Sequence, residues 1–501
     1  MKRKLLLIAL LPLMAACATA TLDCFPPQGA KDVNPDTHLV LNFPDTPVVG
    51  NSGCIRIFDA ANGKEVDCLD LSKPAGLTRG RIYGPDCHYI NTPYDYSRDV
   101  VATNRNTVPG TPSHPEAEPT PDDMQLTIIG GFSDGFRFYP VLVRGNSAVI
   151  YPHNNMLEYG HRYYVTIDEG AISCGDFKGI GERKWTFTTK KKGPADMLNL
   201  TVDASGSGDF NTVQGALDAV PDFSKETVTI NVAAGDYEEI VYFRNKSNVV
   251  IKGAGMDATK VHYANCEVFN PHPLKLKTNE KAGTFPSRRA AFAIDNCTDI
   301  TLQDITVATD CFGQAEGLLV NGERIKLINT RVYGSGDALQ ANGTVYMEGG
   351  EIEGDGDTIL GRGSLFCYKT RLINHGGPFS WVRNFKPAHG DVFVECSFES
   401  NRQMPADWGR SNLNGGSGYP DAEFVVINCT TRNFNPLGWS SIGFESATML
   451  EFNTIDAETG KPADVSQRQK WSRQLDAVKD AETIANYSDP AYVLNGWNPT
   501  E

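Results

Sequence analysis

Histidine is scarce in this chain: there are nine in 501 residues, with no H-x-H or H-E-x-x-H spacing. A histidine-built metal hydrolase centre is therefore excluded for want of ligands. Basic charge is in deficit as well. Lys and Arg total 46 against 61 Asp and Glu, a formal charge of −15. Nucleic acid and anionic membrane surfaces are poor partners for such a chain, because both require a basic face to neutralise phosphates. An acidic polymer would need a local basic or neutral groove. Long apolar runs are also missing, since nothing has the length and apolarity to span a bilayer.

At 501 residues and 40% apolar content, two or three folded units are expected. Lys2, Arg3 and Lys4 precede an apolar stretch, Leu5 to Ala16, that is too short to cross a membrane and reads as a signal peptide. It ends Leu13-Met14-Ala15-Ala16-Cys17, which resembles a bacterial lipobox with Cys17 as the lipidated residue. The expectation is an exported outer-membrane lipoprotein, facing the cell surface or the periplasm of a Gram-negative bacterium. Ordinary cleavage with an incidental cysteine is the simpler alternative. Without Cys17, eleven of the 12 cysteines remain, so at least one is unpaired.

Residues 24–189 carry short β-branched and aromatic runs broken by Gly, Pro, Asn and Asp, such as Thr37 to Phe43 and Arg162 to Ile167. The alternation predicts a β-sandwich. Its ends, Phe25 to Val33 and Trp185 to Thr189, resemble those of bacterial Ig-like accessory domains. Val108 to Asp123, with five prolines, reads as an exposed insertion, and residues 190–199 as a linker.

From residue 200 strand-length runs recur. When the runs at 301–305, 326–330, 346–350, 366–370 and 393–397 are aligned, their second residues are spaced 25, 20, 20 and 27 apart. Short β-branched runs bounded by Gly and Asn at this spacing predict a parallel β-helix over 200–501. Cys297, Cys367, Cys396 and Cys429 lie in or beside these runs, where a small thiol packs well. Phe210 to Val220 should form a helix capping one end, and 464–486 a second helix on the side.

The coil spacing also pairs two carboxylates. Asp337 lies ten residues after Leu327 and Asp357 ten after Met347, so both occupy the same phase of neighbouring coils, where strands stack about 4.8 Å apart. Like charges that close split their pKa values, one rising while the other stays low, and provide an acid beside a nucleophile or base. Solvated turn aspartates and a calcium site are the other readings of the same spacing.

Several ordered segments carry a family resemblance. Asp203 to Gln214 followed by Ala219-Val220-Pro221 resembles the opening of pectin methylesterases, as do Ala234 to Glu239 and Ile251 to Gly255; Val465 to Leu475 and Val493 to Trp497 resemble the family's end. The resemblance implies a right-handed β-helix and roles for four residues. Gln314, in Gly313 to Leu318, would stabilise the oxyanion. Asp337, in Gly336-Asp337-Ala338-Leu339, would be the acid/base, and Asp357, in Gly356 to Gly361, the nucleophile. Arg410, in Trp408-Gly409-Arg410, would hold that nucleophile. No metal or cofactor is implied. The expected partner is a pectic polysaccharide or oligosaccharide, bound by a monomer that a lipid on Cys17 anchors to the membrane.

Departures from the family pattern qualify the substrate. Gly336 stands where the family has a second glutamine, and Gln340, Leu360 and Asn412 stand where it has aromatic residues near the sugar subsites. A branched or decorated pectin domain is therefore expected; Trp381, Trp408 and Tyr419 read either as replacement platforms or as buried structural residues. His375 and His389 lie near the groove by coil count and read as surface residues. The competing functions are a non-catalytic glycan-binding lipoprotein and a pectin lyase or hydrolase on the same solenoid.

Overall fold

The structure is a computed structural model, and it describes residues 22–73, 75, 87–88, 125–127, 129–130, 136–266, 269–270, 288–311, 315–375, 377–401, 404–413 and 418–501. The signal segment, the expected lipidation site at Cys17 and the proline-rich insertion lie outside the described residues.

Before residue 190 the strands form two principal five-stranded sheets. One runs through Leu39–Asn42, Ser147–Ile150 and Val141–Arg144, the other through Ile180–Thr189, Arg162–Ile167 and Cys54–Asp59. Alternating residues of both sheets, including Leu39, Leu41, Ile55, Ile57, Val165 and Phe187, share one buried core. That is the layered arrangement their period-two pattern predicts.

From Asn199 onward the principal sheets are parallel, one of 16 strands and one of nine. They wind as a right-handed β-helix, the hand that parallel crossover connections adopt. Its interior is a stack of in-register apolar residues. Ile251, Leu302, Leu327, Met347, Cys367, Phe393 and Val426 follow one another up one ladder, and each is 0% exposed. The fourth coil step is one residue shorter than the apolar pattern suggests, because Cys367 pairs with Phe393 rather than Val394. All five residues of Gly390–Val394 are buried, so no alternation marks the inward face, and register cannot be read from hydrophobicity there.

Each coil turns through a left-handed residue just after this strand. The positions are Asp304, Asn329, Gly349, Lys369, Glu395, Asn428 and Asn453, all with φ between 45° and 63°. Asn recurs there, and Gly stands at 349, because both adopt that conformation with little strain.

The helix α1, Val213–Ala219, closes the first coil. It starts three residues later than periodicity suggests: Phe210 N–H bonds Thr201 O at 3.0 Å, and Thr212 is the N-cap, accepting from Gly215 N–H at 2.9 Å. The expected helix over 464–486 is not formed. Asp464 and Asp476 accept backbone N–H groups in local turns, an alternative that competes with helix. Arg473–Gln474 joins the large sheet instead, and the helices are α2, Ala481–Ser488, and α3, Pro490–Val493. Cys297, Cys367, Cys396 and Cys429 are buried in the solenoid core as free thiols.

Candidate active site

Asp337 and Asp357 each precede a short strand by two residues. Those strands pair Leu339 with Ile359 and Gln340 with Leu360, which sets the two carboxylates in the same phase of adjacent coils, as the 20-residue spacing predicts. The turns that carry them are tight. A Cβ on Gly334 would lie 2.3 Å from Asp337 O, and Gly336 and Gly356, each preceding an aspartate, have φ of +81° and +58°. From the following coil, buried Asn374 Nδ2 donates to Gly356 O at 3.1 Å and Thr358 Oγ1 at 2.8 Å, bracing the backbone on both sides of Asp357.

Each aspartate has its own arginine. Arg410 donates twice to Asp357, Nε to Oδ1 at 2.8 Å and Nη2 to Oδ2 at 2.5 Å, a forked, bidentate contact. The same guanidinium lies 4.1 Å from the Trp381 ring centroid, and its Nη1 donates to Asn412 at 2.7 Å.

Arg289 Nη2 donates to Asp337 Oδ2 at 2.7 Å, while its Nε donates to Glu316 at 2.7 and 2.8 Å. Asp337 is only 7% exposed and Glu316 fully buried. Burial, then the Glu316 charge, push the Asp337 carboxyl up to about 8; Asp357 adds to the rise, and Arg289 and Arg383 oppose it. The two stacked carboxyls thus sit in opposite surroundings, one buried with its proton affinity raised and the other gripped by a guanidinium.

The coil register also builds a ladder beside the pair: Gln340, Leu360, Trp381 and Arg410 are successive partners. Trp381 is partly exposed, with the guanidinia of Arg410 and Arg383 over its ring. Trp408 and Tyr419 are 0% and 6% exposed, so both pack in the core rather than present a face to sugar. His375 is held by Glu353, its Nε2 at 2.6 Å, and His389 by Glu423, its Nδ1 at 2.9 Å. Neither touches the aspartate pair. Gln314 lies outside the described residues.

Four residues that periodicity does not single out join the site: Arg289, Glu316, Arg362 and Arg383. Gly361 pairs with Val382, so Arg362 and Arg383, one residue on, share a phase in adjacent coils. Arg383 is 8% exposed, its guanidinium 4.8 Å from the Trp381 ring, and its Nε has no hydrogen-bond partner among the described residues. Burial, then the Arg362 charge, lower its proton affinity.

The sequence model of the pectinesterase family matches residues 199–496, more than half of the chain. The chain belongs to the pectinesterase family. Probable pectinesterase 8 of Arabidopsis thaliana is 24% identical over 299 residues, covering 57% of this chain and 73% of the relative. Pectinesterase QRT1 of the same plant is 29% identical over 301 residues, 56% and 74% of the two chains. Among solved structures, the pectin methylesterase from carrot aligns at a TM-score of 0.49 with 19% identity over 61% of this chain and 95% of that one.

This pectinesterase is thus a carboxylic ester hydrolase, and its departures from the family motif acquire physical reasons. At φ +81° position 336 sits in the left-handed region, where any side chain is strained. Restoring the family's residue with Gly336→Gln is expected to destabilise the esterase by about 1 to 2 kcal/mol, read by denaturant titration, with no gain in turnover.

Away from the aspartate pair, Glu238, His262 and Asp310 offer ligand atoms within 4.8 Å of one another. Protein groups already engage them: Arg144 Nε donates to Glu238 at 2.8 Å, and His262 pairs with both Asp310 and Asp236. The three residues belong to ion pairs among protein side chains.

Proposed function

We propose that the esterase hydrolyses methyl esters on galacturonic acid units of pectin and releases methanol. Asp357 attacks the ester carbonyl carbon, and charge develops on the carbonyl oxygen, towards which Gln314 donates. The bond to the methoxy oxygen then breaks, and the proton held by Asp337 passes to it, so that methanol departs and an acyl–Asp357 intermediate remains. Water attacks that intermediate and gives its proton to the Asp337 carboxylate. The galacturonic acid carboxyl is released and loses water's second proton to solvent, and both aspartates return to their starting state.

The observation that carries this reading is the opposite treatment of two stacked carboxylates. Arg410 clamps Asp357 through two hydrogen bonds, while burial and Glu316 raise the proton affinity of Asp337. A lyase or a glycosidase on the same solenoid has no need of a clamped nucleophile directly stacked on a protonated acid.

The substrate is a branched or decorated pectin domain. Gln340 and Leu360 stand in the ladder beside Trp381, and Asn412 is committed to Arg410, leaving Trp381 as the stacking surface next to the pair. Arg362 and Arg383 supply cations where a free carboxylate on a neighbouring uronate unit can sit. Arg383→Gln is expected to raise KM about ten-fold on partly de-esterified oligosaccharides and to leave KM on fully methylated ones within two-fold or so. An equal change on both would remove that role from Arg383. Methanol release measured across methylated and acetylated pectin domains tests the reading as a whole, and a screen in which no methylated domain is a substrate overturns it. Export with a lipid on Cys17 belongs to the same proposal, as it places the esterase where plant polysaccharide fragments arrive.

A further inference from the structure

Arg289 owes its position to no strand. It precedes Phe292–Gln303 by three residues and lies outside the coil register that positions Asp337 and Asp357. Its segment is anchored after it at Ala291, which donates to Glu316 O at 3.0 Å and accepts from Val241 N–H at 2.9 Å, and around Arg289 itself by a chain of side-chain amides that begins in the N-terminal region. Arg137 N–H donates to Asn270 Oδ1 at 2.9 Å, and Asn270 Nδ2 donates back to Arg137 O at 3.1 Å. Asn270 Nδ2 also donates to Asn265 Oδ1 at 2.8 Å. Asn265 Nδ2 in turn donates to Arg288 O at 2.8 Å and to Ala290 O at 2.7 Å, the carbonyls on either side of Arg289.

Every amide donor and acceptor in this relay is used, and Arg137, Asn265 and Asn270 are 1%, 0% and 2% exposed. Rotating either amide would strand buried polar groups, so the relay has one low-energy arrangement. Packing locks its far end. Tyr139 stacks on Phe269 with centroids 4.5 Å apart, Tyr139 N–H donates to Tyr263 Oη at 2.8 Å, and Arg137 Nη1 donates to Phe269 O at 2.8 Å. The Arg288 guanidinium lies 5.0 Å from the Phe136 ring centroid. These contacts belong to a core that continues from Leu39, Ile55 and Phe136 through Tyr242, Phe269 and Ala291 to Ala315 and Leu319.

We infer that the N-terminal region is a working part of the active site, setting Arg289 against Asp337 through the Asn270–Asn265 relay. Arg289 is a positioning residue in this scheme. Braced on Glu316, it fixes the carboxyl rotamer of Asp337 and offsets part of the negative charge around it. The charged groups that act on Asp337 are Arg289, Glu316, Asp357 and Arg383, with Arg410 behind Asp357. Among them Arg289 is the one whose flanking carbonyls the Asn265 amide holds. The inference rests on the reading of Asp337 as the proton donor.

The test uses the full chain with Arg289→Gln, Arg289→Lys and Asn270→Ala. Methanol release is followed across pH, and the Asp337 carboxyl is titrated by carbon NMR, its signal identified by loss in Asp337→Asn. Arg289→Gln should lower kcat roughly a hundred-fold with little change in KM. Without that cation Asp337 holds its proton more tightly, so its titration and the alkaline limb of the activity profile both move to higher pH. Arg289→Lys should recover part of each. Asn270→Ala should shift both in the same direction, with kcat down roughly ten-fold. If Asn270→Ala fails to fold, Tyr139→Leu at the same junction carries the same readouts. Loss of activity without movement of the titration, or no change in either, overturns the inference. A titration that moves in an enzyme releasing no methanol from any substrate supports the relay and instead sinks the esterase assignment of the pair.

Discussion

Asp357→Ala is expected to reduce methanol release by roughly 10⁴-fold or more, the scale on which removal of a covalent nucleophile acts. The replacement leaves no oxygen to attack the ester carbon. It also leaves Arg410, which makes two of its hydrogen bonds to this carboxylate, facing a vacant position over Trp381. Asp357→Asn should be equally inactive and better folded, because the amide oxygen still accepts from the guanidinium. Comparing the two separates lost chemistry from lost packing. Rates equal to wild type in both variants would mean that the measured release comes from elsewhere, and the chain would then be a pectin-binding member of its family.

Asp337→Asn carries the second large effect, a fall in kcat of roughly 10² to 10⁴-fold. The loss should be smallest for esters whose leaving group departs without a proton, which makes an activated aryl ester the control substrate. The pH dependence has a definite sign. With its carboxyl pushed up to about 8, wild-type Asp337 carries the proton that methanol needs below that pH and loses it above, so kcat/KM should fall on the alkaline side of about 8.

Stability follows the same linkage. Between the ordinary aspartate range and about 8 the folded chain holds a proton that the unfolded chain has released, so this group's contribution to stability declines as pH rises through that window. Asn has no such titration. The stability of Asp337→Asn relative to wild type should therefore increase with pH across the window in denaturant titrations. A constant difference would show that the carboxyl is not held protonated.

Much of this could be read from the sequence because a solenoid turns local spacing into spatial contact. Leu327, Met347 and Cys367 stack because they are 20 residues apart and each coil repeats the same left-handed corner. Asp337 and Asp357 inherit that register. Spacing and structure part where the pattern carries no phase information. At Gly390–Val394 every residue is buried, and the register slipped by one. At 464–486 the apparent helical spacing of Trp471, Leu475 and Val478 was coincidental: Leu475 is buried, whereas Val478 is 84% exposed.

The proton affinity of Asp337 and the placement of Arg289 belong to a different class. Glu316 is visible in its motif, but a glutamate inside an apolar run reveals nothing about which cation faces it, and Arg289 stands outside every repeat. By itself the sequence determined the β-helix and the stacking of two aspartates, because each depends on spacing along one strand ladder; the arginine of the Trp408-Gly409-Arg410 segment came from the family resemblance alone. Only the tertiary structure decided what surrounds the pair. Arg289 reaches Asp337 across 48 residues of chain, and the relay that holds it crosses 133 residues from Arg137 to Asn270. Neither contact follows the coil register that pairs Asp337 with Asp357, so no periodicity in the chain records them.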